Sequence, residues 1–256
     1  MKKVRSFKTN SSGQLLILAA LAVAILIGST TVYVYELGKQ STGAGEEPMD
    51  NFILSAKLNT RNAVIASLAN VSNGGEKTVL TSNLDVLSQV FTNLSSFRMC
   101  TLSYALLNDS MYDSGLSLSW NSNGKGVSSA NSDFTLSLRS MATTIDVNYT
   151  VNITSAITID CNYTRLLGDE KLVNLTCRVY NEGEPSLAKN ISLSYQDLGN
   201  WTPIDSSSNL SVMDYGNGTY AISFTINTPS NEVQISTHLY DLRGIFVQAN
   251  TTCSEA

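Results

Sequence analysis

Three residue patterns in this chain could do chemistry. The first is thiol oxidation. Cys100, Cys161, Cys177 and Cys253 are the four cysteines, an even count. None stands in C-x2-C spacing, so a tetrahedral zinc site is not indicated. The second pattern is Asn-x-Ser/Thr, whose carboxamide nitrogen takes an oligosaccharide in an exported chain. It occurs at Asn70, Asn93, Asn108, Asn148, Asn152, Asn162, Asn174, Asn190, Asn200, Asn209, Asn217 and Asn250, and once more at Asn10. With 24 Asn and 59 Ser/Thr, chance supplies about five or six such triplets. Thirteen is more than double that. The third pattern is acid–base chemistry, and it is thin. His238 is the one histidine and alternates with Gln234, Ser236 and Tyr240 on the polar side of an expected strand. The acids cluster only in loops, as Glu46–Glu47, Asp169–Glu170 and Glu182 with Glu184, where solvated turns are the plain reading and calcium the minor one. Phosphate-cradling glycine loops, G-x-S-x-G and basic–aromatic patches do not occur. The expectation is a non-enzyme without catalytic residues, metal or cofactor.

Composition narrows the class further. Only 14% of the 256 residues are charged, against about 25% in an ordinary soluble protein. Ser, Thr and Asn fill the gap with 83 positions. A net charge of −5 argues against nucleic acid, because phosphate binding needs a basic face. Hydrophobic content of 43% argues against disorder.

The charge is unevenly placed. Residues 1–13 carry Lys2, Lys3, Arg5 and Lys8 and no acid, and no charge follows from residue 9 until Glu36. Leu15 to Ile27 is an unbroken apolar run, and Val32–Tyr35 prolongs it. Leu15 to Tyr35 is 21 residues. As a helix that is about 31 Å, enough to span a bilayer core of about 30 Å. A cleaved secretory signal could use Ser29 and Thr31, but the apolar run continues past them. A buried core helix would have no solvent face. A retained anchor fits best, with the basic flank cytoplasmic and residues 38–256 outside.

The junction Ser12–Gly13–Gln14–Leu15–Leu16 resembles the archaeal class III (prepilin-type) signal of type IV pilin-like proteins. The resemblance implies cleavage between Gly13 and Gln14 that leaves the apolar helix on the mature chain. It also implies identical or related pilin-like subunits as partners. The chain departs from that pattern at Ser12, where a charged residue is usual, and at Leu18, where many pilins have Glu.

Residues that could carry these functions need elements to hold them. Residues 38–50 read as a linker rich in Gly. Leu54, Leu58, Ile65 and Leu68 then recur at helical spacing, with Asp50 as N-cap and Asn73–Gly74–Gly75 as the stop. Leu80, Leu84, Leu87, Phe91 and Leu94 form a second stripe. From residue 97 the period changes to two. Leu116, Leu118 and Trp120 precede the turn NSNGKG, and Phe134, Leu136 and Leu138 follow it. Residues 147–163 alternate as one long strand, or two joined near Ser155–Ala156. The sandwich strands are expected at 157–165, 171–180, 189–196, 209–214, 219–227, 232–240 and 244–252. The fold class is mainly β (α+β), ordered as leader 1–13, membrane helix 14–37, linker 38–50, α+β head 51–155 and β-sandwich 156–253. VNLTCRVYNEGEPSLAKNISLSYQ and DYGNGTYAISFTI resemble archaeal and bacterial surface Ig-like modules, which implies an Ig-like sandwich and adhesion.

Two finer expectations follow from these strands. Asn148, Asn152, Asn162, Asn174 and Asn190 fall on polar strand faces, where a glycan is tolerated. Cys161 and Cys177 flank a hairpin symmetric about Asp169 and share its inward face, which predicts a cross-strand disulfide; two simple buried thiols are the other reading. The whole reads as a single-pass, glycosylated extracellular surface protein, a pilin-like structural or adhesion component. The alternative is a monomeric anchored receptor whose Ig-like module binds an extracellular ligand that the sequence leaves unidentified.

Overall fold

The computed structural model describes residues 47–93, 99–121, 123–139 and 144–256. The expected leader, the membrane helix with the Gly13–Gln14 junction, the linker up to residue 46, and Leu94 lie outside the described residues. Residues 53–256 form one compact unit, to which the following applies. The protein is mainly β, with one large sheet and two α-helices among the described residues.

Helix α1 runs Glu47–Ser72 and α2 runs Val79–Asn93. Residues 47–50, expected in the linker, instead form the first turn of α1, so Asp50 lies inside that turn rather than capping it. Proline at 48 does not oppose this, since first-turn N–H groups have no intrahelical acceptor. The helix stops as expected. The N–H groups of Asn73 and Gly75 donate to the Asn70 carbonyl, and that of Gly74 donates to the Val71 carbonyl. Gly74 sits at φ +91°, which a side chain would strain.

The buried stripe of α1 matches expectation at Leu68 and departs from it at Leu54 and Leu58. Ala56, Thr60, Val64, Leu68 and Val71 are buried, whereas Leu54 and Leu58 are 57% and 50% exposed. Small residues let the helix approach closely. The hydroxyls of Thr60 and Ser67 donate back to the Ala56 and Ala63 carbonyls, so their burial strands no polar group. In α2 the expected Leu80, Leu84 and Phe91 are buried and Leu87 is half-buried.

Twelve strands follow among the described residues: β1 Met99–Leu106, β2 Leu116–Trp120, β3 Lys125–Arg139, β4 Thr144–Arg165, β5 Glu170–Asn181, β6 Glu184–Pro185, β7 Ala188–Asp197, β8 Asn200–Pro203, β9 Ser211–Asp214, β10 Thr219–Asn227, β11 Val233–Asp241 and β12 Phe246–Glu255. Their order is β8-β7-β11-β12-β4-β5-β10-β9, with β3 beside β4, β1 and β2 beside β3, and β6 beside β5. Helix α2 lies against β1, where Ser88 Oγ donates to the Leu102 carbonyl at 2.5 Å and Tyr104 Oη donates to Asp85 Oδ1 at 2.6 Å.

The alternating segment is one strand, not two. β4 is 22 residues long and passes through the 155/156 boundary expected between head and sandwich without a break. It contains no Gly or Pro, and it is paired on both sides where it changes neighbours. β3 covers residues 144–158 and β5 covers residues 155–165. Odd-numbered side chains from Val151 to Ile159, and Tyr163, are buried, while Asn148, Asn152 and Asn162 point outward. The same alternation along β5 and β10 buries Val173, Leu175, Cys177 and Val179 with Tyr220, Ile222, Phe224 and Ile226.

Candidate functional site

The cysteines are paired differently from expectation. The disulfide joins Cys161 to Cys253, with Cα atoms 4.6 Å apart, and Cys177 is a buried free thiol. The hairpin between β4 and β5 explains the correction. Its register sets Cys161 opposite Leu175 and Cys177 opposite Ile159, so it is centred on Gly168 rather than Asp169. The two cysteines keep the same face but slip past one another by one cross-strand pair. The true partner comes from the far end of the chain. β12 runs parallel to β4 with Ser254 beside Asn162, which brings Cys253 to Cys161. Burial raises the Cys177 thiol to about 12, with Arg178 pulling the other way, so it stays protonated and unreactive.

His238 is not on an open polar surface either. It is half-buried, its ring edge-on to Phe246 at 5.5 Å, and burial lowers its pKa below 6.5. Phe246 also meets Trp120 at 5.1 Å and Tyr240 at 5.3 Å. The β2–β3 hairpin packs beside this cluster through Trp120 and bonds to the β12 backbone. The Asn250 N–H donates to the Asn121 carbonyl, and the Gly124 N–H donates to the Asn250 carbonyl. A Cβ on Gly126 would lie 2.1 Å from the Gln248 carbonyl oxygen, so only glycine permits this approach. The imidazole is hydrogen-bonded to Ser236 Oγ at 3.2 Å, and among the described residues no carboxylate is bonded to it. Among the described residues no group of three His, Cys, Asp or Glu side chains could hold a metal ion.

A charged cluster that the sequence reading missed lies where α1, β4 and two turns meet. Asp241 is fully buried. Its Oδ1 accepts from the N–H groups of Arg243 and Ile245, and its Oδ2 accepts from Arg243 Nε at 2.7 Å. Arg243 also donates to Glu182 Oε1 at 2.6 Å and to the Thr154 carbonyl at 3.0 Å. Burial opposes the charge on Arg243, but the bonds to Glu182 and Asp241 outweigh it and its pKa is raised. Glu182 further accepts from the Thr154 N–H and lies 3.7 Å from Arg61 of α1. Each of the three guanidinium nitrogens of Arg243 donates to a protein acceptor, so the cluster works as a clamp. The signal was present as the turn DLRG, which reads only as a turn until its partners are known.

The sequons populate the surface. Eleven of the twelve described sequon asparagines are exposed: Asn70, Asn93, Asn108, Asn148, Asn152, Asn162, Asn174, Asn190, Asn200, Asn209 and Asn217. Asn250 is half-buried, its Oδ1 accepting from Gln248 Nε2 beside the bonds to Asn121 and Gly124. In β4 and β5 the asparagine and its hydroxyl partner two residues on share the outward face, because side chains alternate.

Two depressions bear on binding. One of about 300 Å³ lies between β7 and the β9–β10 pair, reaching the buried Leu193, Tyr220 and Ile222 and rimmed by the exposed Leu210 and Val212. Another of about 450 Å³, lined mainly by Asn, Thr, Ser and Asp160, lies on the outward side where β4, β5 and β12 meet. Among the described residues no helix is long and apolar enough to cross a membrane. Compared with known proteins, the chain matches no family model and no curated sequence.

Proposed function

We propose that this chain is a single-pass, membrane-anchored, glycosylated extracellular surface protein, a pilin-like structural or adhesion subunit that presents an Ig-like β-sandwich. The observation that carries the reading is a division along the chain. The basic cluster and the charge-free run Leu15–Tyr35 precede everything else, and all four cysteines and twelve of thirteen sequons follow. Positive-inside orientation places that later part in a compartment where Cys161–Cys253 oxidises and sequons are glycosylated. Seven strands, β4, β5, β7 and β9–β12, match in number what an Ig-like module needs, which supports this reading. Cleavage after Gly13 would free the apolar helix to pack with copies of itself, which offers a filament core.

The reading predicts that the protein sediments with membranes and resists carbonate extraction. Recovery in the soluble fraction with an N-terminus near residue 32 would reject it. The cavity between β7 and β9–β10 favours a second reading, a monomeric anchored receptor that seats a ligand there. An intact Met1 on a protein monomeric in mild detergent would decide for that alternative.

A further inference from the structure

We propose that Asn162 and Asn174 act as one glycan site, occupied on Asn174, with the first sugars seated in the polar depression beside it. The proposal rests on the glycosylated-surface reading above. The two asparagines are direct cross-strand partners on the outward face of β4 and β5. Directly opposed residues have Cβ atoms about 5 Å apart, so two sugars leaving side by side compete for one space. Among the described residues neither carboxamide is held by a side-chain hydrogen bond, whereas Asn209 Nδ2 donates to Thr225 Oγ1 and Asn250 is tied into the ladder.

The depression decides which asparagine carries the sugar. Its walls include Asn162, Asn174, Thr176, Thr252 and Ser254, hydroxyl and amide groups suited to sugar hydroxyls, beside Asp160, whose Oδ2 accepts from Arg178, and the apolar Ile159. It crosses from β5 over β4 to β12. A sugar on Asn174 enters at one rim and lies across the strands, with Asn162 beneath it as a hydrogen-bonding partner. A sugar on Asn162 starts from the floor and must leave the depression at once. The transfer forms a bond between Asn174 Nδ2 and the anomeric carbon of a lipid-phosphate-linked oligosaccharide. The anomeric carbon–oxygen bond to phosphate breaks, the lipid phosphate departs with the electron pair, and the amide proton passes to the transferase's base.

The test is glycopeptide mass spectrometry on the full chain purified from membranes of the producing cells, for the natural protein, Asn174→Gln, Asn162→Gln and Thr176→Val. Cleavage at Arg165 and Lys171 puts the two sequons on different peptides, and fragmentation of the 140–165 peptide assigns Asn162 apart from Asn148 and Asn152. The expected result is high occupancy at Asn174, near none at Asn162, and occupancies that never sum above one per chain. Asn174→Gln and Thr176→Val should each raise Asn162 occupancy severalfold and lower the melting temperature by a few degrees. Asn162→Gln should leave Asn174 occupied. Occupancies at Asn162 and Asn174 that sum above one, or both sites empty while Asn148 or Asn190 is filled, would overturn the paired site alone. No sugar at any sequon would overturn it together with the glycosylated-surface reading.

Discussion

The helix-covered part of the sheet and the part built from strands alone hold together by different means. Around β1 the ties are short in sequence, although the C-terminal end of α1 reaches far along the chain, where Ser72 Oγ accepts from the Phe246 N–H and Asn73 Nδ2 donates to the Gly244 carbonyl. Asp85 meets Tyr104, Ser88 meets Leu102, and buried hydroxyls of α1 bond to carbonyls one turn back. From β4 onward the ties are long. The disulfide spans 92 positions, and Arg243 reaches Glu182 and Thr154 across most of the strand region. Periodicity reads short ties well and is blind to long ones. Stability in the strand region should therefore rest on a few distant contacts.

The sharpest break comes at the disulfide. Cys253→Ser should destabilise the protein by about 4.6 kcal/mol in denaturant titration, the chain-entropy value for a loop near this length. Cys177→Ser should leave the bridge intact in non-reducing peptide maps. A map joining Cys161 to Cys177 would reverse the pairing.

Next comes the clamp. Asp241→Ala leaves Arg243 short of a buried partner and two turn amides without an acceptor, a loss of about 3 kcal/mol. If denaturation midpoints of this variant and the natural protein coincide, the long ties carry less than their geometry implies.

The helix face gives a smaller effect. Ala56→Leu overpacks a fully buried position of α1 and should cost about 1–3 kcal/mol, whereas Leu58→Ser on the exposed side should stay within about 0.5 kcal/mol. The reverse order would restore the leucine stripe as the packed face.

The smallest effect is a pH dependence at His238. Its pKa is lowered by burial, so the unfolded imidazole takes a proton first as pH falls through 6.5. Stability should be flat above that value and decline below it until the folded imidazole also protonates. His238→Gln should flatten the decline between pH 7 and 5.5, and an unchanged slope would assign it to other groups.

The strands were largely legible because alternation is a local signal. Every expected strand from 171 onward appears within a few residues, and the α2 stripe is the one that packs. The α1 face was misread because large leucines dominate a periodicity count, while Ala56, Thr60 and Ser67 pack by being small. The cysteine pairing was misread because parity fixes a face but not a register. One pair of slip in the hairpin changes every partner, and the parallel contact of β12 with β4 leaves no mark in sequence. Alternation puts His238 on the polar side of β11, but it does not show that Phe246 of the neighbouring strand packs against the ring.

The central claim is that residues 14–37 stay on the mature protein as its membrane or filament helix, with the folded part outside. Sequencing the N-terminus of the protein recovered from membranes tests this most directly. The account predicts Gln14 as the first residue; a soluble protein beginning near residue 32 would contradict it.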